Sequence, residues 1–320
     1  MIRRIGFAGL GRMGQRMATR LVEAGYELRT YDAVPGRAAG VAGATPVSSP
    51  VHLRECDAVL LSVTDGPAVL AVIQALIYSG HAERRAKHPQ SDDRTAPAEV
   101  GALRSTLRVT LVVDLSTIGV EDSRRVAALC EPAGVGYVRA PLLGTLDAAA
   151  SGQLKALVSG SPEAVEAARP ILERLCAEQP YLGPAEEGRV MKLLVNGLMG
   201  ITQAALSEAL MIGQKAGLEW RQLADVIGSS SSASPIVKGT LARLADRQFE
   251  PRLTVSLLAK DLRLLNELAQ AESAPAPVAS SALQLYEAAA NLGWEGYDTS
   301  AIFLLLEALN GKGDDHGSKS

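Results

Sequence analysis

The sequence predicts an α/β amino-terminal half, a doubly wound parallel sheet, followed by an all-α carboxy-terminal half. Three observations carry that prediction. Short apolar runs alternate with helical stretches through the first half, a glycine-rich turn joins the first run to the first helix, and beyond Glu186 no β-rich segment remains.

The elements follow in order. Residues 5–8 read as a strand, 15–24 as a helix and 27–31 as a second strand, with further strands over 58–63 and 110–114. Another strand is expected at 137–139 and one more at 155–159, ahead of a helix over 162–177. Residues 186–216 hold no proline and space their apolar side chains by three and four, so one long helix is expected there. Helical patterns continue over 220–227, 236–246, 255–271, 277–291 and 299–309. Tyr181-Leu182-Gly183-Pro184 supplies a break, which divides the chain into residues 1–183, residues 184–310 and a Gly/Asp/Lys/Ser-rich tail over 311–320. The stretch 81–99, dense in charge and proline, is expected to be loosely structured.

Composition narrows the function. A chain of 320 residues has room for two domains, each with its own core. With 47% hydrophobic and 21% charged residues it belongs among globular proteins. Acidic and basic residues are mixed to a formal charge of −3, so no basic stripe is available for nucleic acid. Cys56, Cys130 and Cys176 are odd in number and set among apolar neighbours, which reads as buried thiols in a reducing, cytoplasmic setting. His52, His81, His88 and His316 never stand at ligand spacing from each other or from a cysteine, so no metal is expected. The first residues enter a strand pattern at once and no apolar run reaches the ~18 residues of a membrane span, so neither export nor a membrane is expected.

Gly9-Leu10-Gly11-Arg12-Met13-Gly14 follows a strand and opens a helix, the context in which Gly-x-Gly-x-x-Gly binds a dinucleotide. Gly9 allows the tight turn, Gly11 leaves room for a pyrophosphate, and Gly14 lets the helix pack on the sheet. The helix amino terminus then presents unpaired N–H groups to the phosphates. Asp32 ends the second strand, where a carboxylate accepts from the adenosine ribose and repels a 2′-phosphate. NAD is therefore expected over NADP, and Arg37 lies close enough to leave NADP open.

The sequence resembles the β-hydroxyacid dehydrogenases, a family that includes 3-hydroxyisobutyrate dehydrogenase, tartronate semialdehyde reductase and the glyoxylate/succinic semialdehyde reductases. Four blocks carry the likeness. The first is the amino-terminal block from Gly6 to Ala18, and the second is Asp114-Leu115-Ser116-Thr117-Ile118. The third, Gly188 to Gly197, is similar to the family's Gly-x-x-x-Lys-x-x-x-Asn pattern and contains Lys192 and Asn196; the fourth is Lys260-Asp261-Leu262. On residue chemistry alone Ser116 and Thr117 would serve equally as a helix cap, and Lys192 as a snorkelling surface lysine.

The resemblance implies a Rossmann-type cofactor domain and a helical domain for substrate and oligomerisation. It implies cofactor contacts from Gly9 through Gly14, from Asp32, Val63 and Thr64, and from Lys260 with Asp261 as its orienter. Lys192 would be the general acid/base, with Asn196 one helical turn on addressing the same substrate oxygen. Ser116, Thr117, Leu143, Gly144 and Thr145 would surround the substrate, a small 3-hydroxy acid or the matching semialdehyde. One loop departs from the family, whose Asp-Ala-Pro-Val-Ser-Gly-Gly becomes Arg139-Ala140-Pro141-Leu142-Leu143-Gly144-Thr145. A serine hydroxyl is thereby lost, unless Thr145 supplies one. The nearest alternative is an imine reductase, whose scaffold is similar but which usually lacks the lysine. A 6-phosphogluconate dehydrogenase would carry histidine where Val195 stands, and a dinucleotide-binding protein without chemistry is a third reading. The apolar breadth of the 186–216 helix predicts a homodimer or homotetramer.

Overall fold

A computed structural model describes residues 2–87 and 107–311. The stretch 88–99 and all of the tail except Gly311 lie outside the described residues. The chain divides into two compact units, one ending at Lys192 and the other beginning at Leu193.

The first unit contains strands β1 (Arg4–Ala8), β2 (Glu27–Tyr31), β3 (Thr45–Pro46), β4 (Ala58–Leu61), β5 (Leu111–Asp114), β6 (Gly136–Arg139), β7 (Leu142–Leu143), β8 (Leu154–Ala156), β9 (Val158–Ser159), β10 (Cys176–Glu178) and β11 (Tyr181–Gly183). Eight of them form one sheet in the order β11-β9-β6-β5-β4-β1-β2-β3. Neighbours run parallel except β6 and β9. β1 lies between β2 and β4, with Ile5 opposite Leu28 on one side and Ala58 on the other. The strand order reverses at β1, and the crevice beyond the carboxyl end of such a strand is where doubly wound sheets bind ligands.

Both faces of this sheet are covered. Ile5, Phe7, Leu60 and Val113 pack with Met17 and Leu21 of helix α1 (Arg12–Glu23) on one face. On the other face Val59, Leu61 and Val112 pack with Ile73 and Leu76 of α2 (Gly66–Lys87) and Val126 of α3 (Val120–Cys130). Central strands buried on both faces read as continuous apolar runs, which is why residues 58–61 and 111–114 lack alternation. α1 buries Gly14, Met17, Ala18 and Leu21, a three-and-four stripe whose larger members each contribute ~1.5–3 kcal/mol.

Several expectations change. α2 continues through residues 81–87, which composition marked as loose. Residues 155–159 are two short strands, β8 and β9, that belong to different sheets: β8 sits in a three-stranded sheet ordered β10-β8-β7. Between them the Leu157 N–H donates to the Pro141 carbonyl at 3.0 Å, and the chain changes partner there. Helix α5 (Pro162–Leu175) follows the short α4 (Leu146–Ser151) and stops where Cys176 turns extended, φ −133 and ψ 130, to enter β10. Tyr181–Gly183, read as a break, is the edge strand of the main sheet.

Helix α6 (Glu187–Lys215) begins in the first unit and carries the chain into the second. By length and composition it could cross a membrane, though half of its most apolar window is buried in the protein. The second unit continues with α7 (Trp220–Ser229), α8 (Pro235–Ala245), α9 (Val255–Ala271), α10 (Pro277–Ala289) and α11 (Ile302–Leu309). A π-helical turn, Ala290–Trp294, replaces the end of the expected 277–291 helix, with Gly293 at φ 89. No strand occurs among its described residues, and one isolated bridge joins Thr254 to Asp298. Val255, Leu258 and Leu262 pack on Tyr286 and Ile302, while Leu206, Leu210 and Leu223 pack on Leu241 and Phe303.

Candidate active site

The glycine turn stands at the switch point. Gly9 has φ +94 and donates its N–H to the Tyr31 carbonyl at 2.9 Å; a Cβ there would lie 2.2 Å from the Ser62 carbonyl oxygen. A Cβ on Gly14 would lie 2.0 Å from the Gly9 carbonyl oxygen, which fixes how closely α1 seats on its strand. At Gly11 the opposite holds, with nothing within 4 Å of an added Cβ. Gly11 also precedes α1 and supplies no side-chain cap to its first turn. Open space before a helix amino terminus fits a pyrophosphate, and a larger residue at Gly9 or Gly14 would distort the turn that creates it.

Leu10 and Asp32 are tied together: the Leu10 N–H donates to Asp32 Oδ2 at 2.6 Å, and the Val34 N–H to Oδ1 at 2.8 Å. The carboxylate is thus held beside the glycine turn by backbone donors, with lone pairs left for ribose hydroxyls. Arg12, Met13 and Arg37 are at least partly exposed around it. Val63 and Thr64 follow β4 on the neighbouring strand. The Val63 N–H donates to Ser116 Oγ at 3.0 Å, and Thr64 bonds Asp65, which caps α2 through the Ala68 N–H.

Ser116 is buried just beyond β5, its N–H donating to Asp114 Oδ1 at 3.0 Å, and half-buried Thr117 follows it. Gly144 and Thr145 are exposed, with Leu143 half-buried. Gly144 has φ +137, and a Cβ there would meet Leu154 at 2.7 Å. Thr145 begins α4, where its Oγ1 accepts from the Ala148 N–H at 3.3 Å. The threonine hydroxyl therefore works as a helix cap, and only its proton is left to stand in for the serine that the family carries at Leu143.

Lys192 is 9% exposed and its Nζ donates to the Leu142 carbonyl at 2.8 Å, which brings the amine to this same loop. In the second unit Asn196 Nδ2 donates to Asp261 Oδ2 at 2.5 Å, and Asp261 Oδ1 pairs with Lys260 Nζ at 3.0 Å. Asp261 is buried, so one carboxylate holds both the amide and the ammonium. Among the described residues no three His, Cys, Asp or Glu side chains gather as a metal site.

A buried network at the foot of α6 was not legible as such. Arg189 donates to Asp114 Oδ2, to the Ser116 carbonyl and, at 3.1 Å, to Tyr137 OH, while Tyr137 OH donates to Asp114 at 3.0 Å. Arg139 pairs with Glu186 at 2.5 Å and lies over the Tyr137 ring at 4.6 Å. Burial opposes charge on Arg189, but the Asp114 carboxylate outweighs it and raises the guanidinium's affinity for its proton. Burial, followed by the charge of Asp114, pushes the Tyr137 phenol well above its ordinary value, so it remains a neutral donor. The available sequence signal was an arginine three residues before Lys192 in the otherwise small and apolar stretch from Gly188 to Leu194.

Known proteins share both halves. Residues 4–84 and 87–183 match the family model for the NAD binding domain of 6-phosphogluconate dehydrogenase, and residues 187–306 match that for the NAD-binding region of NADP-dependent 3-hydroxyisobutyrate dehydrogenase. What these halves define is an NAD(P)-dependent oxidoreductase acting on hydroxy acids. The NAD-dependent L-serine dehydrogenase of Pseudomonas aeruginosa is 32% identical, over 97% of this chain and 100% of its own. The solved 3-hydroxyisobutyrate dehydrogenase of Mycobacterium tuberculosis with L-serine is 29% identical, with a TM-score of 0.79 over 96% of this chain and 99% of its own. The chain belongs to the β-hydroxyacid dehydrogenase family. An imine reductase from Pseudomonas sp., 18% identical with a TM-score of 0.57 over 96% of this chain and 100% of its own, shares the fold alone.

Proposed function

We propose that the enzyme oxidises a small 3-hydroxy acid of the size of L-serine or 3-hydroxyisobutyrate, or reduces the matching semialdehyde, with Lys192 as general acid/base. The observation that carries this is the Lys192 amine, buried yet bonded to the Leu142 carbonyl of the loop that the family uses for substrate. Bound NAD supplies a hydride acceptor at nicotinamide C4. The turn from Gly9 to Gly14 would hold its pyrophosphate and Asp32 its ribose, with Val63, Thr64 and the Lys260–Asp261 pair as further contacts. Lys192 would take the substrate's hydroxyl proton in oxidation and return one to the forming alkoxide in reduction. Asn196 would donate to the same oxygen, held in orientation by Asp261. Ser116, whose Oγ already accepts from Val63, keeps its proton for the substrate carboxylate. Thr117, Leu143 and the Gly144 and Thr145 backbone would complete that pocket, where Leu143 favours a less polar contact than serine would.

Lys192→Met tests the reading. Turnover is expected to fall by ~10²–10⁴-fold while NAD affinity stays within a few fold, since general acid/base catalysis contributes on that scale. Wild-type turnover in this variant would end the acid/base assignment, whereas no turnover by the wild-type protein on 3-hydroxy acids or semialdehydes would reopen the imine reductase and non-catalytic readings. The domain division near residue 183 or 184, cytoplasmic residence and homo-oligomerisation belong to the same proposal. Cys56, Cys130 and Cys176 are all unbonded and buried, which supports a reducing compartment. Met191, Leu194, Val195 and Leu198 form an exposed apolar stripe along α6, Leu198 being 65% exposed, which supports a covering second copy. Light scattering that shows only monomer at working concentration would refute the oligomer.

A further inference from the structure

We infer that Arg189 is a positioning residue: it fastens the first turn of α6 to the end of β5 and to the Ser116 carbonyl, and so sets where Lys192 stands relative to the substrate loop. The inference rests on the acid/base reading of Lys192.

The guanidinium is 1% exposed and the Asp114 carboxylate 0%. A buried ion pair adds little net stability over an apolar core of the same volume. What it does supply is direction, because a planar fork of donors reaches several acceptors at fixed angles. Here the fork meets Asp114 Oδ2, Tyr137 OH and the Ser116 carbonyl, which come from β5, β6 and the segment after β5. Asp114 is engaged from the other side as well, its Oδ1 accepting from the Ser116 N–H, and Ser116 Oγ in turn accepts from Val63. One carboxylate thus ties the helix to the residue proposed to hold the substrate's acid group, and through it to the cofactor side of β4.

Two neighbouring positions remove the remaining freedom of the turn. Glu186 is paired with Arg139. The Gly188 N–H donates to Ser159 Oγ at 3.1 Å, and Gly188 lies so close to the Leu157 carbonyl that a Cβ would sit 2.3 Å from its oxygen. Positions 186, 188 and 189 therefore fix the axial position and rotation of the helix immediately before Lys192. Of the three, only Arg189 touches Ser116. The separation between the acid-group anchor and the acid/base amine is what distinguishes a 3-hydroxy acid from a shorter or longer one, and Arg189 spans from one side of it to the other.

The test compares Arg189→Met and Arg189→Lys with wild type, and includes Lys192→Met as a control on the underlying reading. Thermal melting, NAD affinity by fluorescence titration, and kcat and KM for L-serine and 3-hydroxyisobutyrate are measured on each. In Arg189→Met kcat is expected to fall ~10²-fold, the scale on which a misplacement of about 1 Å acts, with NAD affinity held within about threefold. Arg189→Lys keeps a charge beside Asp114 and loses the fork, so about tenfold of that loss is expected to return. Should Arg189→Met fail to fold, Arg189→Lys decides. A loss of about tenfold or more in kcat with wild-type melting and NAD affinity supports positioning, and wild-type kcat overturns it. A kcat loss that simply tracks lost melting temperature or lost NAD affinity also overturns it. An inactive Lys192→Met beside a fully active Arg189→Met removes the inference alone, whereas wild-type turnover in Lys192→Met removes the acid/base reading and the inference with it.

Discussion

Replacing Gly11 with alanine separates two effects that glycine motifs usually confound, the shape of the turn and the space left for a ligand. Gly11 has φ −66 and ψ −171, a conformation open to any L-residue, and its added Cβ meets nothing within 4 Å. Loss of glycine at this helix start should cost no more than about 0.5–1 kcal/mol, so the variant should melt within a few degrees of wild type. The methyl group would nevertheless occupy the space before the α1 donors, where a pyrophosphate must come close to backbone. NAD affinity should fall at least about tenfold, equivalent to ~1.4 kcal/mol. Gly14→Ala is the contrasting case, because its Cβ would sit 2.0 Å from the Gly9 carbonyl oxygen and force α1 away from its strand. Overpacking of this kind costs ~1–3 kcal/mol, so stability and cofactor affinity should fall together. Thermal melting and fluorescence titration of NAD on the two variants give all four numbers. If Gly11→Ala folds and binds NAD as wild type does, phosphate does not lie at this turn and the cofactor assignment of residues 9–14 fails.

Other consequences are equally direct. Asp32→Ser removes the charge that repels a 2′-phosphate, so the NADP-to-NAD ratio of kcat/KM should rise about tenfold, by ~1.4 kcal/mol; an unchanged ratio would remove Asp32 from the ribose site. Asp57 is held at about 2 instead of 3.8: burial opposes its charge, but the Arg4 and Arg3 backbone N–H groups and Arg108 outweigh it. Its folded-state value is the lower one, so the contribution is present above pH ~4 and disappears as pH falls towards ~2, amounting to about 1–2 kcal/mol after screening. Urea melts of Asp57→Asn should show that deficit at pH 7 and a shrinking one at pH 3; equal deficits would contradict it. Burial pushes Cys56 up to about 11 and Cys130 and Cys176 up to about 12, so a thiol reagent at pH 8 should label none of the three before denaturation.

Local chemistry was legible in the sequence, and long-range partnership was not. The glycine turn and Asp32 could be read because strand, turn and helix follow one another along the chain, and each glycine has its own task. For Lys192 and Asn196, helical periodicity gave a shared face of α6, and the role proposed for them came from the family resemblance. The second sheet could not, since β7, β8 and β10 are two or three residues each and carry no period of their own. At Cys176 an apolar helical pattern runs into strand without a proline or glycine to mark the change. The charge network escaped for a different reason. Arg189 and Asp114 are 75 residues apart, and nothing in either neighbourhood names the other. Thr145 carries a second task that its residue type alone did not reveal: its Oγ1 accepts from the Ala148 N–H and starts α4.

The interior place of β1, between β2 and β4, also orders how the sheet can be assembled. β1 is synthesised before both of its neighbours, β2 and β4, and the sheet widens on either side of it as later strands arrive, so its β11 edge stays unfinished until residue 183 has emerged. Asp114 reaches its strand before Arg189 exists to balance it. A nascent chain halted between them carries a carboxylate destined for the interior with no counter-charge, and that carboxylate stays in water until the first turn of α6 closes over it.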